Sequence, residues 1–272
     1  MEHKKITFIG AGNMARSIIS GMIANGYPAE LITATAPSQS TRDALAEKYA
    51  IKTDDDNAKA AQDADVIVMA VKPQLMADVA KGLQAIDYRE KLVISIAAGI
   101  NAARFDEMFA TKLNLVRVMP NTPSLIGKGM SGLFAPEHVS SQQREFAGEL
   151  MALVGEICWV DQESGINNVI AAAGSAPAYF FLFLEAMQKE AVAQGFDHQT
   201  ARLLVQQAAL GAAEMVVANP DTELSTLREQ VTSKGGTTAE ALKTFNENQL
   251  SDIVSKAMRA AVARAEEMEK LF

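Results

Sequence analysis

Three small residues near the start of the chain have the spacing of a dinucleotide-binding turn. Gly10, Gly12 and Ala15 lie in the stretch FIGAGNMA and match the pattern G-x-G-x-x-A. The first glycine permits a tight turn, the second lets a pyrophosphate approach the backbone, and the alanine allows a helix to pack closely on a strand. An ordinary strand–helix turn can have the same spacing. Here, however, the pattern closes an apolar run and opens a helical one, so we expect a dinucleotide at the first helix.

The end of the next apolar run indicates which dinucleotide is bound. An enzyme that uses NAD usually has an acidic residue there, on the ribose 2′-hydroxyl. The stretch ITATAPSQSTR has none, and the first acid is Asp43. Thr35, Ser38, Ser40 and Arg42 can instead hold a 2′-phosphate, with Ser38 as our first choice; the alternative is a solvated loop. The missing acid favours NADPH, with NADH as a weaker cofactor.

Two later strand ends are expected at the same edge. AVKP (Ala70–Pro73) and SIAAG (Ser95–Gly99) each follow a buried apolar run. The carboxyl ends of parallel strands line the ligand crevice of an open sheet, so Lys72 would place a cation there. Lys72 also fits a second interpretation, a surface lysine before a helix that begins with proline.

These segments belong to an alternating pattern from Lys4 to about Val160. The apolar runs are KITFIG, LITAT, DVIVMAV, KLVISIAA, NLVRVMP and EICWV, with GMSGLFAP as one further strand. Helical patterns lie between them, which predicts an α/β Rossmann domain with a mostly parallel, doubly wound sheet over residues 1–162. An all-α domain is expected over residues 163–272, with helices at about 163–172, 177–194, 198–218, 223–231, 237–246 and 249–271.

Composition narrows the function classes. The chain has 272 residues, which suits two domains, and its net charge of −8 argues against nucleic acid or an anionic membrane as partner. Cys158 is the only cysteine, and His3, His138 and His198 form no metal-binding or nucleophile motif. The first residues contain no uninterrupted apolar run, so we expect no signal peptide and a cytoplasmic protein. Hydride transfer fits, because the cofactor supplies its chemistry.

One uncharged stretch tests that interpretation. Residues 169–184, VIAAAGSAPAYFFLFL, are too few to span a bilayer, and we expect Gly174 and Pro177 to break the helix. A helix that is apolar on all sides must be buried on all sides. The small helical half of the chain cannot supply that burial alone, so we expect a partner subunit.

A polar loop lies within the helical half. VTSKGGTTAEAL (Val231–Leu242) has two glycines that let the backbone turn without side chains, followed by two threonines. Thr237 and Thr238 would open a helix whose unpaired N–H groups and dipole favour a carboxylate. The loop can equally be a connector, with Thr238 as a plain N-cap.

Taken together, FIGAGNMA, AVKP, RVMPNTP (Arg117–Pro123), GSAPAY (Gly174–Tyr179) and VTSKGGTTAEAL resemble the pyrroline-5-carboxylate reductase family over almost the entire chain. The resemblance implies reduction of Δ1-pyrroline-5-carboxylate to L-proline by NADPH, and a helical domain that interlocks in a homodimer, which can assemble further. The cofactor residues that it implies are Gly10, Gly12, Asn13, Met14, Ser38, Asn57, Val71, Lys72, Ala97 and Ala98. The substrate residues that it implies are Ser233, Gly235, Gly236, Thr237 and Thr238, with Thr238 as the catalytic residue.

Two positions depart from the family pattern, and two other functions stay open. Ala176 stands where the family usually has glycine, and Lys234 where it usually has proline. One alternative is another NADP-linked imine or oxo-acid reductase, such as a hydroxyacid dehydrogenase. Those enzymes use a lysine on the first long helix after the domain boundary, where this chain is apolar and Lys189 comes later. The other alternative is a non-catalytic NADP-sensing module, which would not need the glycine–threonine loop.

Overall fold

A computed structural model describes residues 2–271, and its chain divides into two compact units. The first comprises Met1–Pro177 together with Ala260–Phe272, and the second comprises Ala178–Arg259. This division differs from the predicted boundary at residue 162. The segment after residue 162 packs against the sheet, where Val169 lies against Gly132, and the end of the last helix lies against Gly99. These apolar contacts place both segments in the first unit. The helical periodicity of the sequence does not reveal such contacts.

The first unit contains one eight-stranded sheet in the order β3-β2-β1-β4-β5-β6-β7-β8. Strands β1 to β6 are mutually parallel, β7 is antiparallel to β6, and β8 is parallel to β7. The strands are β1 (Ile6–Ile9), β2 (Ile32–Thr35), β3 (Lys52–Asp54), β4 (Val66–Met69), β5 (Leu92–Ser95), β6 (Asn114–Met119), β7 (Gly129–Phe134) and β8 (Gly155–Trp159). The predicted mostly parallel Rossmann sheet is confirmed. The apolar runs did not include β3, because it is a polar edge strand of three residues.

Helices cover both faces of the sheet. They are α1 (Asn13–Ala24), α2 (Gln39–Tyr49), α3 (Asn57–Gln62), α4 (Pro73–Lys81), α5 (Ala102–Phe109), α6 (Ser141–Ala152) and α7 (Gly165–Val169). Helix α1 shows why they form, since Ala15, Ile18, Ile19 and Met22 recur at helical spacing and are buried. These four side chains pack in one core with β1, β2 and α6, while a second core lies under α4 and α5.

The apolar stretch after α7 continues as a helix instead of breaking. A π-helical turn, Ile170–Gly174, follows α7, and the N–H of Ser175 donates to the carbonyl of Ile170 at 2.8 Å. Helix α8 (Ala176–Ala193) then begins, so Pro177 falls in its first turn, where a missing N–H is harmless. The expectation of a break was wrong. Gly165–Ala193 is, by length and composition alone, long and apolar enough to cross a membrane.

The second unit is built from helices alone. Besides most of α8, its helices are α9 (His198–Ala218), α10 (Leu224–Gln230), α11 (Thr237–Glu247) and the first half of α12 (Leu250–Leu271). These agree with the predicted ranges to within one or two residues. Few of its side chains are buried within the chain: among the described residues of this unit, the buried apolar ones are Ala201 and Val205. The unit therefore has a large exposed apolar surface, most of it on α8 and α9.

Candidate active site

The glycine turn after β1 has the geometry that the sequence predicts. Gly10 has φ +102°, and a Cβ placed on it would lie 2.8 Å from the carbonyl oxygen of Ala70. Gly12 is the N-cap residue of α1 and has no side-chain cap, and the space around its Cα is open. The first N–H groups of α1 can therefore meet a pyrophosphate directly. Asn13 and Met14, the first two residues of α1, lie at the same helix start.

Three strand ends meet this turn at one edge of the sheet. The N–H of Ala70 donates to the carbonyl of Ile9 at 2.9 Å, and the N–H of Ile96 donates to the carbonyl of Met69 at 3.2 Å. The ends of β1, β4 and β5 are therefore level. The predicted cofactor residues that this edge brings together are Gly10, Gly12, Asn13, Met14, Val71, Lys72, Ala97 and Ala98.

Lys72 fits both of its interpretations. It is exposed and occupies the N-cap position of α4, with Pro73 directly after it at the first helical position. A proline-started helix accounts for the local conformation, and an exposed ammonium group at this edge can still meet an anionic ligand. The role of Lys72 toward the cofactor stays a prediction.

Two of the candidate ligands for a 2′-phosphate are engaged elsewhere. The Thr35 hydroxyl is buried, accepts a hydrogen bond from the N–H of Gly10 and donates one to the carbonyl of Phe8, both at 3.3 Å. Thr35 therefore positions the glycine turn, and the expectation that it contacts a phosphate was wrong. The sequence alone does not indicate that the hydroxyl of this β-branched residue, at the end of a strand, is buried against the sheet.

Arg42 is the second candidate ligand whose side chain is already engaged within the protein. One guanidinium nitrogen, Nη1, donates to the carbonyls of Ala36 and Pro37 at 2.7 and 3.0 Å. The other, Nη2, donates to Gln39 Oε1 at 2.5 Å and lies 3.3 Å from an Asp55 carboxylate oxygen. The side chain is 11% exposed. Arg42 therefore holds the loop after β2 in place, and its guanidinium does not point freely into solvent as a direct ligand would.

Ser38 and Ser40 are the remaining candidates, at the end of that loop and in the first turn of α2. Both are exposed, and their hydroxyl oxygens are 2.8 Å apart. Ser38 is the N-cap residue of α2, yet its side chain caps no N–H of the helix. Two adjacent hydroxyls at a helix start suit a phosphate oxygen, so Ser38 keeps its place as the first candidate.

An acidic turn lies beside this loop, and the apolar runs in the sequence do not indicate it. Strand β3 pairs with β2 so that Asp54 lies opposite Thr35. The Lys59 ammonium donates to the Asp54 carboxylate at 2.8 Å, which lowers the pKa of Asp54, and Asp56 caps α3. Arg42 and Lys59 thus offset two of the three aspartates of this turn. Neither pairing was visible without β3.

A cavity at this acidic turn does not suit an anionic cofactor. Its volume is about 520 Å³, and Asp55, Asp56 and Asp78 contribute to its lining. Asn57 also lines it, at the first position of α3. Even with Asp55 paired to Arg42, the carboxylates of Asp56 and Asp78 would repel a phosphate, so we do not assign the cavity to the cofactor. The predicted contact of Asn57 with the cofactor stays a prediction.

The RVMPNTP stretch forms a braced turn. The buried Asn121 side chain donates from Nδ2 to the carbonyl of Ala173 at 3.0 Å and accepts from the N–H of Met130 at 2.9 Å. It therefore links the end of β6 to β7 and to the π-helical turn. Asn121 therefore fixes the position of this turn.

The glycine–threonine loop opens α11 in the second unit. Gly235 has φ +71°, and Gly236 is the N-cap residue of α11, with no side-chain cap. The N–H of Gly236 donates to the carbonyl of Ser233 at 3.0 Å. Thr237 and Thr238 are the first two helical residues, and both are exposed. Thr238 is therefore not an N-cap, and the alternative interpretation of it as a plain cap is wrong.

Hydride chemistry fits this arrangement, because the cofactor supplies the chemistry and the protein supplies its position. Within residues 2–271 there is no group of three histidine, cysteine or acidic side chains that could hold a metal ion. The Nε2 atom of His138 is hydrogen-bonded to the carbonyl oxygen of Leu113 at 2.9 Å. A Rossmann sheet with an open glycine turn at its carboxyl edge and an all-helical unit after it defines a dinucleotide-dependent oxidoreductase.

Comparison with known proteins identifies the family. Residues 163–268 match the family model described as pyrroline-5-carboxylate reductase dimerisation, and residues 5–99 match the one described as NADP oxidoreductase, coenzyme F420-dependent. A pyrroline-5-carboxylate reductase from Vibrio alginolyticus is 75% identical over the full length of both chains. The chain belongs to the pyrroline-5-carboxylate reductase family.

Solved structures agree with that assignment. A pyrroline-5-carboxylate reductase from Coxiella burnetii matches with a TM-score of 0.92 and 42% identity, over 98% of this chain and 99% of the other. The enzyme from Plasmodium falciparum, solved with NADP bound, matches with a TM-score of 0.88 and 29% identity, over 99% of each chain. The dimerisation family model matches residues 163–268 as one segment. Contacts within the structure divide the same residues between the two units.

Proposed function

We propose that this chain reduces Δ1-pyrroline-5-carboxylate to L-proline with NADPH, the last step of proline biosynthesis. The observation that supports this most directly is full-length identity of 75% to a pyrroline-5-carboxylate reductase, together with an open glycine turn at the edge of the sheet. Bound NADPH supplies the hydride. The ring carbon of the C=N bond accepts it, the nitrogen becomes a secondary amine, and one proton from solvent balances the reaction.

The cofactor preference rests on the loop after β2. Ser38 and Ser40 present two hydroxyls, and Arg42 holds the loop that leads to them. The aspartates nearest to the loop are paired with cations, which reduces their repulsion of a 2′-phosphate. We therefore expect kcat/KM for NADPH to exceed that for NADH. Equal values would contradict the role of this loop.

The substrate carboxylate is assigned to the start of α11. The helix has eleven residues and an N-cap without a side chain, so its first N–H groups are open to an anion. Ser233, Gly235, Gly236 and Thr237 form that start, and the Thr238 hydroxyl can donate to the carboxylate or contact the ring nitrogen. An iminium ring is already a strong hydride acceptor, so this site needs no histidine as an acid.

A turnover panel tests the proposed function. The intact protein with NADPH would be given Δ1-pyrroline-5-carboxylate, its six-membered-ring homologue, an imine without a carboxylate, and a set of 2-oxo acids. We expect turnover of the cyclic imino acids and little turnover of the imine that lacks the carboxylate. Preferential turnover of an oxo acid would support the dehydrogenase alternative. NADPH binding without any turnover would support the sensing alternative.

The helical unit is assigned to a homodimer, which can assemble further. Phe180, Phe181 and Leu182 are consecutive on α8 and are 68%, 65% and 69% exposed. Consecutive residues are about 100° apart around a helix, so α8 is uncovered on more than one side. An interlocking second copy would cover it, as in interfaces that resemble a core cut in half. The same surface could meet lipid, but the match of this segment to a dimerisation model favours a protein partner.

Assembly and location can be tested together. Sedimentation over a dilution series, with turnover measured at each concentration, should show a dimer whose activity falls only as it dissociates. A fully active monomer would contradict the interlocking dimer. Flotation with phospholipid vesicles should leave the protein unbound, as expected for a cytoplasmic enzyme, and binding to vesicles would contradict that placement.

A further inference from the structure

A buried arginine outside the proposed binding residues holds two acidic side chains. Arg117 lies in β6, its side chain is 3% exposed, and Nη1 is 2.7 Å from Glu163 Oε1 and 3.5 Å from Glu269 Oε1. Glu163 comes from the segment after β8, and Glu269 from the last turn of α12. A buried cation is costly unless it is paired, so these two carboxylates must stay near Arg117 for the sheet to tolerate it.

Glu163 and the residue before Glu269 contact the segment that runs from β5 to the start of α5. Glu163 Oε1 also accepts a hydrogen bond from the N–H of Ala102, the first residue of α5, at 2.6 Å. On the other side, Glu269 follows Met268, whose Cβ lies 2.8 Å from the position that a Cβ on Gly99 would occupy. The last turn of α12 therefore lies directly on the loop backbone.

Gly99 makes that close approach possible. Its φ is +76°, a backbone conformation that residues with side chains rarely adopt, and Met268 fills the space where a side chain would be. Ala97 and Ala98, two of the proposed cofactor residues, come immediately before it. Any outward movement of the end of α12 removes the packing on one side of this loop.

We infer that Arg117 is a positioning residue for the cofactor: through Glu163 and Glu269 it holds the start of α5 and the end of α12 against the loop Ile96–Ile100. The inference rests on the proposed function only where it assigns Ala97 and Ala98 to the cofactor. Without the Arg117–Glu269 pair, the loop samples more conformations, and NADPH must restrict them when it binds. NADPH affinity therefore falls, while the hydride-transfer step at saturating NADPH is unchanged.

The chain offers a matched pair of variants for the test. Glu269→Lys places an ammonium group beside Arg117 and should displace the end of α12. Glu267→Lys makes the same change in net charge two residues earlier, where the side chain is exposed and, within residues 2–271, its salt bridge is to Arg264 on the same helix. A general gain of positive charge would strengthen NADPH binding in both variants, so weaker binding in the first alone identifies the network.

We expect Glu269→Lys to raise the Kd and KM for NADPH about tenfold or more, with kcat at saturating NADPH within about twofold of the unsubstituted protein. Glu267→Lys should leave Kd within about twofold. Hydrogen–deuterium exchange without cofactor should be faster over residues 96–101 in the first variant alone. This readout does not depend on the proposed function, whose failure would instead appear as absent turnover or NADPH binding in the unsubstituted protein.

Three outcomes would overturn the inference. The two variants could bind NADPH equally well, exchange over residues 96–101 could be the same in both, or Glu269→Lys could lower the thermal midpoint with no change in Kd. Should Glu269→Lys not fold, Glu269→Gln replaces it, with Glu267→Gln as its control. The neutral pair should then differ by about two- to fivefold in Kd, and equal values would again overturn the inference.

Discussion

Replacement of Arg42 tests how the loop after β2 selects its cofactor. Arg42 donates to two consecutive backbone carbonyls, to Gln39 and toward Asp55, and it does not point freely into solvent. We therefore expect it to act on a 2′-phosphate through the position of Ser38 and Ser40. Arg42→Met removes all these interactions while it keeps most of the apolar stem.

The expected magnitudes follow from the contacts. The Ala36 carbonyl is on a buried residue, and a buried acceptor that loses its donor costs about 1–3 kcal/mol. The pair with Asp55 adds little, at most about 1 kcal/mol, because that carboxylate is 67% exposed. Total stability of a domain is about 5–15 kcal/mol, so the variant should still fold. A misplaced serine loses about one hydrogen bond to a charged group, so kcat/KM for NADPH should fall by about ten- to a hundredfold.

NADH provides the internal control, because it has no 2′-phosphate. Its kcat/KM should change by less than about threefold in the same protein, so that the ratio of the two values reports the loop and not general damage. A double variant, Arg42→Met with Asp55→Asn, measures how much of the loss comes from the Asp55 carboxylate. Loss of Arg42 leaves the Asp55 carboxylate unpaired near the phosphate, so its neutralisation should restore about two- to fivefold of the NADPH preference.

Arg42→Lys decides between positioning and direct charge neutralisation. A lysine keeps the positive charge, but its single ammonium group cannot span two carbonyls and a glutamine as the planar guanidinium does. Positioning predicts that the lysine variant loses most of the NADPH preference. A lysine variant with the preference intact, beside a methionine variant that has lost it, would refute our reasoning and make Arg42 a direct ligand.

Two further substitutions test the two proposed binding segments. Thr238→Ala should lower kcat/KM by about ten- to a hundredfold with NADPH affinity nearly constant, whereas Thr244→Ala, on the same helix, should have little effect; equal kinetics in both would leave Thr238 without a role. Gly10→Ala should abolish NADPH binding, because its Cβ would lie 2.8 Å from the Ala70 carbonyl oxygen, whereas Gly26→Ala, also at positive φ but with no atom within 4 Å, should only lower stability. Retained NADPH binding in Gly10→Ala would contradict the tight-turn assignment.

Much of the fold could be predicted because the signals are local. The apolar runs and helical patterns depend on residues that are neighbours in sequence, and the helices of the second unit follow them closely. Strand β3 could not be predicted in this way, because a polar edge strand of three residues has no apolar run. Because β3 was not predicted, the aspartates beside it and the pairing of Asp55 with Arg42 were not predicted either. The role expected for Arg42 was therefore different from the one that the structure indicates.

Contacts between distant segments account for the other differences. Gly174 and Pro177 predicted a broken helix, but a π-helical turn places the proline where a helix tolerates it. Arg117 lies in the RVMPNTP motif, yet its partners are 46 and 152 residues away in the sequence. Periodicity carries no information on such pairs. The division into units differs from the predicted boundary for the same reason, since it depends on which segments pack together.

The start of α11 indicates why the loop has glycine at the position where a helix usually has a capping side chain. Serine, threonine or aspartate at position 236 would satisfy one of the first N–H groups and stabilise the helix by about 1 kcal/mol. Gly236 leaves those groups open, and a Cβ there would lie 2.4 Å from Ser233 Oγ, so a capping side chain would require the Ser233 hydroxyl to move. The two threonines follow the N-cap instead of forming it, which leaves their hydroxyls outside the cap position. Local stability is thus lower than that of a capped helix, and an anion can satisfy the groups that remain open. A plain connector would gain nothing from that exchange, and we therefore interpret the loop as a carboxylate site.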